Sequence, residues 1–107
     1  MYKTVLQFGF RSGKPPIDMP VVDCRRIPNG LTRNVSYSEA MNRVRRNRNF
    51  EPLVKQALKL LEEHDVIAIG CEWGIHRSGS VVDEVAKRRD DVRISHRGNL
   101  LNYYQEV

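Results

Sequence analysis

Val66-Ile67-Ala68-Ile69 is an apolar run without polar residues at alternate positions. A strand of this kind is buried on both faces, as in a parallel sheet covered by helices. Before it, Leu53, Val54, Ala57, Leu58, Leu60 and Leu61 recur at helical spacing, with Lys55, Lys59, Glu62 and Glu63 opposite. Pro52 falls in the first turn of that helix, where its missing N–H is harmless. After the run, Val81, Val82, Val85 and Ala86 mark a second helix beginning near Ser78, with Lys87-Arg88-Arg89 in a last turn that suits the helix dipole. Helix, buried strand and helix in succession predict an α/β fold.

The 107 residues suffice for one domain with a modest core, so 1–107 is read as a single domain. Residues 4–8 predict a strand ended by Gly9, and the loop that follows carries Lys14, Pro15 and Pro16. Residues 20–24 predict a second strand, stopped by Pro28-Asn29-Gly30, with 31–35 as loop. Ser36-Tyr37-Ser38-Glu39 reads as a capping box opening a helix to about Asn47, in which Glu39 reaches back to the cap's N–H. Residues 92–95 predict a fourth strand, and residues 100–107 a short covering helix. The expected architecture is a three-layer-like α/β domain with a mostly parallel four-stranded sheet and flanking helices.

No run approaches the about 18 apolar residues of a membrane span, and the N-terminus lacks the apolar region of a secretory signal. Two cysteines, Cys24 and Cys71, are too few for a disulfide framework and fit a reducing cytoplasm. With three scattered histidines and no Cys-x-x-Cys, no metal site or cofactor is expected. The net charge of +5 favours anionic partners and says nothing about fold.

Residues 70–78, Gly-Cys-Glu-Trp-Gly-Ile-His-Arg-Ser, join the buried strand to its helix. A strand turning through glycines into a helix brings backbone N–H groups and a positive helix end together, which suits phosphate. Arg77 adds a fork of donors for its oxygens. In a parallel sheet the carboxyl ends of the strands share one rim. That rim would gather Arg11 and Lys14, Asp23 with Arg25, the 71–78 loop, and His96 with Arg97. Such a pocket predicts binding of a phosphorylated small molecule or of an RNA phosphate.

Cys71-x-x-Gly74-x-x-Arg77-Ser78 also resembles the signature loop of cysteine-dependent phosphatases. That chemistry needs a thiolate nucleophile at Cys71 and an acid, for which Asp23 is the candidate on the rim. Glu72 opposes it, because a carboxylate beside the thiol disfavours the thiolate and repels phosphate.

Four ordered stretches carry a more particular resemblance: Gln7-Phe8-Gly9-Phe10-Arg11-Ser12-Gly13, Val22-Asp23-Cys24-Arg25-Arg26-Ile27-Pro28-Asn29, Ile69 to Ser78, and Asp91-Val92-Arg93-Ile94-Ser95-His96-Arg97. Together they resemble the RapZ C-terminal domain family of RNase adapters. The resemblance implies an α/β domain that binds an amino-sugar phosphate, glucosamine 6-phosphate, contacts small RNA, and binds without turnover. Matched position by position, it implies Asp23, Arg25, Asn29, Cys71, Gly74, His76, Arg77, Ser78, His96 and Arg97 as ligand residues, with Arg11 where the family tends to have lysine. Glu72 and Trp73 stand in place of a small Thr-Gly pair, and no Gly-x-x-x-x-Gly-Lys-Ser/Thr loop occurs in the chain.

Each residue also has a plain structural reading. Cys71 can be a small buried residue ending a strand, Cys24 is core, His76 and His96 can be satisfied structural histidines, and Arg25 can pair with Asp23 or Asp91. Trp73 can pack on the sheet, stack on a sugar or base, or seal a partner surface. Arg43, Arg45, Arg46 and Arg48 make either a solvated helix face or a strip contacting RNA phosphates. The subunit number, homo-oligomer included, is not written in the sequence. Binding is favoured over turnover, in a sensor or regulatory adapter role.

Overall fold

The computed structural model describes residues 2–13 and 18–97, with His96 and Arg97 described by their backbone alone. Lys14 and the helix expected over 100–107 lie outside the described residues.

Four strands form one sheet: β1 (Lys3–Gly9), β2 (Val21–Asp23), β3 (Val66–Cys71) and β4 (Val92–Arg97), in the order β2-β3-β1-β4 with every pairing parallel. The expected sheet is therefore observed. From Ile67 onward β3 is buried throughout, as its unalternating apolar run requires. Between β2 and β3 lie α1 (Tyr37–Arg46) and α2 (Phe50–Glu63), and α3 (His76–Arg88) joins β3 to β4. Short 3-10 turns follow β1 at Phe10–Ser12 and β2 at Cys24–Arg26, with a third at Asn29–Thr32, where loop was expected.

The main core lies on one face of the sheet. Val5, Val22, Ile67, Ile69 and Cys71 pack there with Val44 of α1, Leu53, Val54, Ala57 and Leu61 of α2, and Val81, Val82 and Val85 of α3. Each helix contributes the stripe its periodicity predicts. On the opposite face Leu6, Phe8 and Ala68 form a smaller cluster with Phe10 and Met19. Among the described residues that cover is loop, so the third layer is thin.

Two details differ from the sequence reading. At α1, Ser36 Oγ accepts the Glu39 N–H at 3.2 Å, which is half of a capping box. The Glu39 carboxylate turns instead to Arg43 Nε at 3.2 Å and Arg46 Nη2 at 3.3 Å, because two guanidinium donors outbid one backbone amide. The fourth strand runs two residues further than expected, so His96 and Arg97 lie within it, in register with Gln7 and Phe8.

Candidate functional site

Because all four strands are parallel, their carboxyl ends face one rim. The β3–α3 loop, residues 72–75, rises from that rim. It curls back on itself: the Gly74 N–H donates to Cys71 Sγ at 3.3 Å, and the Cys71 thiol lies 3.3 Å from Ser78 Oγ. Gly74 has a φ of 76°, a left-handed conformation that disfavours any side chain. Gln7, buried in β1, holds the loop from below through Nε2, which donates to the Gly74 carbonyl at 2.8 Å. Gly9 permits the closest approach. A Cβ there would sit 2.5 Å from the Trp73 carbonyl carbon.

The helix begins at His76, two residues before the position its apolar pattern suggested. Ile75 precedes it and supplies no side-chain cap, so the first turn has amides without a capping oxygen from that residue. Arg77 stands in this first turn, only 4% exposed. Its Nη1 donates to the Ile27 carbonyl at 2.9 Å, and among the described residues the guanidinium has no carboxylate partner. A buried guanidinium has donors to satisfy and a charge to balance, and one carbonyl does neither fully.

Asn29, Thr32, Cys71, Trp73, His76 and Arg77 line a cavity of about 20 Å³. That volume holds roughly one water, so a phosphate would place one oxygen inside and its bulk at the mouth. Trp73 stands at the mouth, 54% exposed. Arg11 stacks on its ring with the guanidinium carbon 4.4 Å from the centroid, and reaches Glu72 Oε1 at 3.8 Å. The charge of Glu72, which opposed an anion site on sequence grounds, is thus partly offset by Arg11.

Asp23 and Arg25 form a closed pair. The carboxylate receives the Arg25 backbone N–H at 2.9 Å, Nε at 3.0 Å and Nη2 at 2.7 Å, while the Arg25 guanidinium lies 3.7 Å over the Phe10 ring. The side-chain hydrogen bond to Arg25 lowers the Asp23 pKa below the ordinary carboxylate value, with Arg77 contributing its charge. Held as an ion, Asp23 has no proton to give near neutral pH. Arg25 therefore takes the first of its two candidate partners, and Asp91 is paired with Arg89 instead.

His76 lies beside the cavity with its ring 5.4 Å from that of Tyr37. Partial burial first, then the Arg77 charge, lower its pKa. Cys24 is wholly buried in the core, where burial pushes its thiol strongly up. Of the four arginines near α1, Arg43 and Arg46 are tied to Glu39, whereas Arg45 and Arg48 are exposed.

The structure thus brings together Asn29, Cys71, His76 and Arg77 around one cavity, with Gly74 and Ser78 bonded to the Cys71 sulfur and Arg11 at the rim through Trp73. Asp23 and Arg25 are on the same rim but engaged with each other. His96 and Arg97 are in β4, and their side chains fall outside the described atoms. Sequence reasoning missed Thr32, which lines the cavity, and Gln7, which holds the loop. Gln7 had a visible signal, a polar residue inside an otherwise apolar strand. Among the described residues no cluster of His, Cys, Asp and Glu could hold a metal ion, and no helix is long and apolar enough to cross a membrane.

No family model matches the chain. The chain is similar to a protein of Saccharopolyspora erythraea named nucleotide-binding protein. The two are 31% identical over 105 aligned residues, covering 82% of this chain. The chain spans 36% of that relative's length.

Proposed function

We propose that this chain binds a phosphorylated ligand at the β3–α3 loop without chemical turnover, as a sensor or adapter domain of the RapZ C-terminal kind. The observation that carries the reading is Arg77, a buried guanidinium in the first turn of α3 with one carbonyl partner and no carboxylate among the described residues. A phosphate oxygen at the cavity would supply both the missing charge and the missing acceptors. The amides of the α3 N-terminus, for which Ile75 supplies no side-chain cap, add to the same attraction.

The relative's name, nucleotide-binding protein, is compatible with a phosphorylated ligand in general. The finer reading, an amino-sugar phosphate such as glucosamine 6-phosphate with small RNA as a second partner, rests on the ordered motifs from Gln7 to Arg97. Binding is favoured over phosphatase chemistry because Asp23, the candidate acid on the rim, is held ionised by Arg25.

Calorimetric titration with inorganic phosphate and with glucosamine 6-phosphate tests the reading. Saturable binding, lost in Arg77→Met, is expected for both. Release of inorganic phosphate from a chromogenic phosphomonoester, abolished by Cys71→Ser, would instead make the protein an enzyme.

A further inference from the structure

The cavity at Arg77 admits part of one phosphate group, so the rest of any ligand lies outside it, against whatever stands at the mouth. What stands there is Trp73. It lines the cavity and is yet 54% exposed, which is unusual for so large an apolar side chain. The neighbouring Ile75 is also exposed, at 47%.

The indole is held in place before any ligand arrives. Its backbone presses on Gly9, the Arg11 guanidinium stacks on its ring, and Arg11 is anchored by its N–H bond to the Glu72 carbonyl at 3.0 Å. A side chain already ordered loses little entropy on binding. An exposed, ordered aromatic surface beside a phosphate site suits a flat ring attached to that phosphate, since bases stack on tryptophan whatever their identity. The facing guanidinium strengthens such a stack.

From this geometry we infer that the ligand class is a ribonucleotide phosphomonoester, its phosphate at Arg77 and its base stacked on Trp73. This rests on the anion-site reading above and puts a nucleoside in place of the amino sugar as the group that carries the phosphate. A free nucleoside monophosphate and the 5′-phosphorylated end of an RNA share this chemistry.

Trp73 is the single tryptophan of the chain, so its fluorescence reports the contact directly. The experiment titrates the protein with AMP, ribose 5-phosphate, inorganic phosphate and a short 5′-phosphorylated oligoribonucleotide, with calorimetry on Trp73→Ala and Trp73→Phe. AMP should quench the indole and bind at least about tenfold more tightly than ribose 5-phosphate. Trp73→Ala should bring AMP down to the ribose 5-phosphate level, and Trp73→Phe should keep part of the gain. An oligoribonucleotide that binds tighter than AMP only with its 5′-phosphate present identifies RNA ends as the source, and one that binds no tighter than AMP identifies the free nucleotide; either supports the assignment. If AMP and ribose 5-phosphate bind equally and Trp73→Ala changes neither, the base-stacking assignment is wrong while the phosphate site stands. If no phosphorylated compound binds, the site reading itself fails.

Discussion

Arg77 carries a permanent positive charge into a space where, among the described residues, one carbonyl oxygen receives it. Replacing it with methionine removes a poorly compensated buried charge and leaves the Ile27 carbonyl short of one donor, a loss of about 1–3 kcal/mol that apolar packing offsets. Arg77→Met should therefore melt within a few degrees of the parent when ligand-free, and phosphate should no longer raise its melting temperature. A collapse of the ligand-free variant would make Arg77 a structural residue. His76 permits a pH test. Its pKa is lowered in the folded chain, so between the folded value and the ordinary 6.5 the unfolded chain binds more protons. Stability is then full above about pH 6.5 and declines as pH falls from there toward the folded pKa. Urea midpoints measured from pH 7.5 down to 5 should fall, and His76→Gln should flatten that part of the profile.

At the scale of the elements, the loop is held by a close contact and a cap fixes one helix start. Gly9→Ala would drive a methyl group into the Trp73 carbonyl, so β1 and the loop must separate. Overpacking of this kind costs about 1–3 kcal/mol, and phosphate affinity should fall with it, because the loop moves. Ser36→Ala removes the cap of α1 at a cost of about 1 kcal/mol, visible as a lower urea midpoint with unchanged phosphate affinity. The elements themselves were legible in the sequence. The unalternating run at Val66–Ile69 announced a parallel strand, and the stripes at Leu53–Leu61 and Val81–Val85 announced its helices. The start of α3 was less legible, since Ile75 is no capping residue and the apolar stripe begins only at Val81. That Arg77 faces the loop was legible from its place there, but its bond to the Ile27 carbonyl was not: that partner is 50 residues away and depends on where β2 ends. The Arg11–Glu72 pair was hidden for the same reason, because it exists only once β1 and β3 lie side by side. The capping box misled by half, as local pattern cannot weigh Arg43 and Arg46 against an amide.

Across the whole molecule, parallel pairing does most to place the site, since it turns residues distant in sequence into neighbours at one rim. The net charge of +5 draws anions toward the surface but does not choose among them. Arg45 and Arg48 are exposed and add to that charge. Arg45→Glu with Arg48→Glu should reduce retention on a polyanion at low salt, yet leave affinity for inorganic phosphate at the loop unchanged. The most direct test of the central claim is an NMR titration of the labelled domain with inorganic phosphate, following backbone amides and arginine Nε–H signals together. Saturable shifts of the Gly74 to Ser78 amides and of the Arg77 Nε–H are expected, with one shared dissociation constant. Shifts confined to exposed arginines such as Arg45 and Arg48, with the loop and Arg77 unmoved, would contradict that claim.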